Sequence, residues 1–108
     1  MIDLQWNRAF ALEQAGDDEE LLAELLELLR SSSASDLAKI REAMAAGNAA
    51  AMGDAAHSIK GAAASLGIDQ LSALAYAMEK AGRANDLEGA KQQFAALAEM
   101  VAALSAVK

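Results

Sequence analysis

The chain has 108 residues, enough for one domain (1–108) with a real core and too few for two. Over half of them are apolar, mostly Ala and Leu, with no proline and hardly an aromatic, a composition that favours helices and leaves strands little to work with. A net charge of −7 argues against nucleic acid, the lack of cysteine excludes disulfides and thiolate metal sites, and a single histidine excludes paired Glu-x-x-His di-iron ligands.

Taken in chain order, Asp3 is placed to cap a first helix running to about Gln14, with Leu4, Trp6, Phe10 and Ala11 among its apolar positions and Gly16 closing it. Trp6 and Phe10, four apart, are expected to pack on the end of the bundle. Asp17-Asp18-Glu19-Glu20 opens the second helix, where the dipole favours carboxylates, and reads as a solvated first turn rather than a metal site. Leu22, Leu26, Leu29, Leu37, Ile40 and Met44 then keep helical phase, with Ser33 the one polar residue in register. Ser31 to Ser35 looks like a loop by composition, but the phase survives it. One long helix from about Asp17 to Ala46 is therefore expected, roughly 45 Å long.

Gly47 ends that helix and Asn48 starts a third, closed by Gly67. Asp69 is placed to cap a fourth helix with Leu71, Leu74, Ala75, Met78 and Gly82 buried, and Ser72, Tyr76, Glu79 and Arg83 along one flank of that stripe. Asn85-Asp86 starts a fifth, with Leu87, Ala90, Phe94, Leu97, Val101 and Leu104 inward. Connections of two or three residues imply antiparallel neighbours, so the expected fold is all-α: an antiparallel up-down four-helix bundle with a short additional N-terminal helix. The apolar runs are short and broken by charge, so no membrane span is expected. The N-terminus lacks the basic and apolar regions of a signal peptide, and a cytoplasmic setting is expected. Monomer is the default, and the Met1 start leans towards a free-standing protein rather than part of a hybrid kinase.

The chemistry concentrates on the third helix. Met52, Ala55, Ile59, Ala62 and Leu66 form its core stripe, while His57, Lys60, Gly61, Ala64 and Gly53 fall on the opposite face. An imidazole among small residues, with one cation a turn away, suits a group approached by another macromolecule. The plainer reading is an ordinary surface histidine near a close helix contact. The fourth helix weighs against it: joined to the third by a tight turn, it can bring Glu79 and Arg83 beside His57 and Lys60. A carboxylate accepting from one ring N–H would fix the tautomer and leave the other nitrogen as a nucleophile. Lys60 can neutralise an incoming phosphoryl group, and Gly61, without a Cβ, leaves room.

His57-Ser58-Ile59-Lys60-Gly61-Ala62-Ala63-Ala64-Ser65-Leu66-Gly67 resembles the signature of histidine-containing phosphotransfer (HPt) domains, His-x-x-Lys-Gly followed by Leu-Gly at a fixed distance. The likeness covers nearly the whole chain: the run of acids and leucines from Gly16 to Leu26, the Gly47-Asn48 break, and Met78-Glu79 with Arg83. The resemblance implies that His57 is the phosphoacceptor, Lys60 the stabilising cation, Gly61 the clearing glycine and Glu79 the residue that holds the ring. Arg83 and Ala64 would flank the docking face. It further implies a phosphorelay, in which a receiver-domain aspartate passes its phosphoryl group to His57 and a second receiver aspartate takes it. No cofactor of its own is expected, Mg²⁺ coming from the receiver, and no ATP-dependent kinase activity. Many family members carry an aromatic near Leu29, a departure that does not touch the chemistry.

Two rivals stand beside this reading. One is a non-phosphorylated helical adaptor or inhibitor that binds a receiver or kinase and leaves His57 unused. The other, an acyl-carrier-like helical protein, needs Asp-Ser-Leu at a helix start, whereas Ser65-Leu66 follows Ala64 at a helix end.

Overall fold

Residues 4–107, described by a computed structural model, form five α-helices and a terminal 3₁₀ turn, with no strand among them. The helices are α1 (Arg8–Gln14), α2 (Glu19–Ala45), α3 (Ala49–Ser65), α4 (Asp69–Arg83) and α5 (Leu87–Ala103), and the 3₁₀ turn is Leu104–Ala106. Four of the five α-helices begin where a side chain takes up free N–H groups of the first turn, α1 at Asn7 and three others as follows. Asp18 accepts from Glu20 and Leu21 N–H, Asn48 from Ala51 N–H and Asp86 from Gly89 N–H. α4 departs from expectation: Ile68 occupies the cap without a side-chain bond, and Asp69 is the first helical residue, where its charge still suits the dipole.

The first helix starts later than its apolar spacing suggests. Asp3, its expected cap, lies outside the described residues; Asn7 is the cap, accepting from Phe10 N–H at 3.1 Å. The residues before it make contacts across the α3–α4 turn instead. Gln5 N–H goes to Gln70 Oε1, Trp6 Nε1 donates to Leu66 O, and Asn7 N–H donates to Gly67 O. Residues 5–7 are thus tied across the α3–α4 turn and cannot join a helix. Gly67 is required there: its φ is +71°, and a Cβ would lie 2.8 Å from Asn7 O.

α2 runs unbroken through Ser31–Ser35. Leu22, Leu26, Leu29, Ser33, Ile40 and Ala43 are buried along one side while Ser31, Ser32 and Ser35 face outward, so packing overrides local composition. Ser33 completes the stripe with its Oγ unpartnered among the described residues. At 27 residues α2 is about 40 Å long and sets the longest dimension of the molecule, 42 × 25 × 18 Å.

α3 packs most extensively on α4 and next on α2, while α5 closes against α4 and α2. At the α3–α4 crossing the backbones touch: a Cβ on Gly82 would lie 2.7 Å from Gly53 Cα. α5 buries Ala90 and Leu97, leaves Leu87, Phe94 and Val101 half-buried, and stops at Ala103. Its end is tied to α2 by Arg30, whose Nε donates to Leu104 O at 2.9 Å and whose Nη2 donates to Val107 O. No helix among the described residues is long and apolar enough to cross a membrane.

Candidate functional site

The close crossing of α3 and α4 sets a register in which numbers rise along α3 as they fall along α4. Gly53 meets Gly82, Asp54 pairs with Arg83, His57 with Glu79, and Lys60 with Glu79 and Tyr76. Because α4 comes so near, a short carboxylate side chain reaches the imidazole. Glu79 Oε2 lies 2.8 Å from His57 Nδ1. The Lys60 ammonium stands 2.6 Å from Glu79 Oε1, and Arg83 Nη2 is 3.6 Å from Oε2.

One buried carboxylate therefore serves three positively disposed groups. Glu79's side chain is 11% exposed and that of His57 is 60% exposed. Oε1 has no well-aligned hydrogen bond, so the nearby ammonium is what compensates its burial. Lys60 pulls the Glu79 carboxyl below the usual carboxylate range; burial works the other way and the His57 bond adds to the lowering. An ionised carboxylate only accepts, so Nδ1 is the ring nitrogen that carries the proton and donates. In the neutral ring Nε2 then carries the lone pair. Arg83 is tied to Asp54 at 2.8 Å, a pair that raises the guanidinium's already high pKa.

Gly61 and Ala64 are exposed beside His57, and a Cβ on Gly61 would meet nothing within 4 Å. Gly53, expected on the same open face, is instead buried, because α4 crosses there; its Cβ would touch Arg83 and the Gly82 backbone. Lys60 does not point freely into solvent either: its side chain is 28% exposed and leans across to α4. Its carbonyl accepts from Ser72 Oγ at 3.1 Å.

Three residues of this network have no place in the expected site. Asp54 is the partner of Arg83, and Tyr76 lies under Lys60 and Lys80, whose Nζ atoms are 4.9 and 4.6 Å from its ring centroid. Asp54, three residues before His57, and Tyr76, three before Glu79, are both one helical turn from a site residue, a signal that helical spacing makes available. Lys60, Lys80 and Arg83 share this edge with the carboxylates of Glu79 and Asp54, so the group carries one more positive than negative charge in a chain of net charge −7.

Two depressions lie between α2 and α3, and His57 lines neither. One is bordered by Asp36, Lys39, Glu42 and Asp54, the other by Leu25, Leu28, Ala62 and Ser65. No group of three or more His, Asp or Glu placed to hold a metal occurs among the described residues. An exposed imidazole outside these depressions is open to another domain, as a group delivered by a macromolecule requires.

Comparison with known proteins gives the chain a family. Residues 24–107 match the family model described as the Hpt domain, and no curated protein and no solved structure matches the chain. Hpt domains take part in phosphotransfer in phosphorelay signalling and interact there with receiver domains. With the match spanning most of its length, this chain belongs to the Hpt domain family.

Proposed function

We propose that this protein is a histidine phosphocarrier, accepting a phosphoryl group from a receiver-domain aspartate on His57 and passing it to a second receiver aspartate. The observation that carries the reading is the 2.8 Å contact between Glu79 Oε2 and His57 Nδ1 on a side chain that is 60% exposed. In the neutral ring that contact fixes the tautomer whose Nε2 lone pair attacks phosphorus. The P–O bond to the aspartate breaks as the Nε2–P bond forms, and the carboxylate leaves with its electron pair. The phosphorylated ring becomes cationic while Nδ1–H stays bonded to Glu79, which offsets that charge. Lys60 is at hand to neutralise the phosphoryl oxygens, and Gly61 and Ala64 leave clearance for the partner.

Phosphoryl transfer asks mainly for positioning and charge neutralisation around a loose in-line transition state. Mg²⁺ and the acidic pocket belong to the receiver in this scheme. The architecture that serves it is an up-down antiparallel four-helix bundle of α2 to α5 with α1 at one end, supported by the opposed register of α3 and α4 and the packing of α5 on both α4 and α2.

Incubation with a phosphorylated receiver domain, followed by mass spectrometry, tests the reading. The expected product is an acid-labile phosphate on His57. A chain that takes up no phosphate from any of a panel of receivers, while remaining folded, overturns it.

A further inference from the structure

Lys60 is restrained from α4 at two points. Its ammonium stands 2.6 Å from Glu79 Oε1 and 4.9 Å from the centre of the Tyr76 ring. A lysine stem is flexible and would otherwise sweep a wide arc of solvent. Tyr76 contributes nothing to the buried core: the residue is 48% exposed, and its hydroxyl makes no hydrogen bond among the described residues. What it offers is an aromatic ring with the Lys60 and Lys80 ammoniums 4.9 and 4.6 Å from its centre. Glu79 holds the ammonium through a carboxylate that it shares with His57 and Arg83, against a buried oxygen. The ring holds the cation at the surface, by a weaker attraction from which it can turn towards an arriving anion.

We propose that Tyr76 is a positioning residue for phosphotransfer, its ring keeping the Lys60 ammonium beside His57 at the solvent boundary. The proposal rests on the phosphocarrier reading. Its test uses phosphoramidate, a small donor that needs no partner domain, on the wild type, Tyr76→Leu, Tyr76→Phe, Lys60→Ala and the Tyr76→Leu/Lys60→Ala pair. NMR follows the ring-current shift of the Lys60 ε protons alongside.

Tyr76→Leu is expected to slow His57 phosphorylation about two- to fivefold, the range that an exposed cation–π contact supports. Tyr76→Phe restores the rate, and in the Lys60→Ala background Tyr76→Leu adds no further loss. The ε-proton shift disappears in Tyr76→Leu and persists in Tyr76→Phe. The proposal is overturned by a wild-type rate in Tyr76→Leu, by an equal loss when Lys60 is already absent, or by wild-type ε protons that show no ring-current shift. A wild-type His57 that takes up phosphate without that shift removes Tyr76 alone. A folded wild type that phosphoramidate and receivers both leave unlabelled removes the phosphocarrier reading and this proposal with it.

Discussion

The seam between α3 and α4 and the seam between α2 and α5 are built on different terms. α2 and α5 each bury large side chains, Leu22, Leu26, Leu29 and Ile40 on one helix and Leu97 on the other, and each fully buried one contributes about 1.5–3 kcal/mol. α3 and α4 meet through Gly53, Gly82, Ala56, Ala63 and Ala75, and along their solvent edge through His57, Lys60, Glu79 and Arg83. Small residues bury less surface but let the backbones approach, and only close backbones allow one glutamate to reach both an imidazole and an ammonium on the facing helix. Large side chains are buried on α3 and α4 too, Met52, Ile59, Leu71 and Met78 among them, so what sets this pair apart is the backbone contact at Gly53 and Gly82. Substitutions on the charged edge should therefore change transfer without changing the fold, and substitutions at the glycine crossing should do the reverse.

The largest effect is expected at His57. His57→Gln keeps a side chain able to donate to Glu79 and removes the nucleophile, so phosphate uptake should fall to background while thermal stability stays within about 0.5 kcal/mol of wild type. Labelling by a phosphorylated receiver and a thermal melt read the two sides together. An adaptor that never uses the ring would keep its partner-dependent activity in this variant. Lys60→Ala comes next: transfer should slow roughly tenfold, less than the cost of about 10²–10³-fold for losing a fully enclosed charge-stabilising donor, because Lys60 is partly exposed. A wild-type single-turnover rate would take Lys60 out of the mechanism.

Two glycines offer a sharper contrast, because the same change should have opposite signs. A Cβ on Gly82 would press into backbone, 2.7 Å from Gly53 Cα and 2.8 Å from Ala49 O, so Gly82→Ala should destabilise by about 1–3 kcal/mol. A Cβ on Gly61 meets nothing, and alanine is the better helix former, so Gly61→Ala should stabilise by about 0.8–1 kcal/mol. Denaturant midpoints decide both. If the two changes shift the midpoint in the same direction, the claim that only one of these glycines is needed for packing is lost. A bulkier residue at Gly61 should impede transfer from a receiver while leaving the melt intact.

Much of this was readable beforehand, because helical period and caps are local properties. The long second helix, the Asn48–Gly67 limits of the third and the burial of Ala90, Leu97 and Leu104 all follow from spacing and cap chemistry. The late start of α1 was not readable, since Trp6 and Asn7 spend their N–H groups on Leu66 and Gly67, some 60 residues away in sequence. Gly53 failed for the same kind of reason: a helical wheel shows which residues share a face but not where a neighbour crosses it. Glu79 could be named from the α3–α4 turn, whereas the grip of Tyr76 on Lys60 needs the register to within one residue.

The finest test concerns Glu79 and acid. Lys60, with His57 adding, holds this carboxyl below the value of about 4.3 for a free glutamate, while burial opposes the shift. A group whose native pKa is depressed binds fewer protons folded than unfolded across that window. Its stabilisation is complete above about pH 4.3 and drains away as pH falls through the lowered native value. Glutamine cannot ionise, so Glu79→Gln lacks both the stabilisation and its loss. Urea midpoints measured from pH 7 down to about 3 should show the variant below wild type at neutral pH, with the gap closing only on the acid limb. A gap that stays constant over that range would mean that Glu79 holds the two helices by packing, and that its charge has no part in fixing the ring of His57.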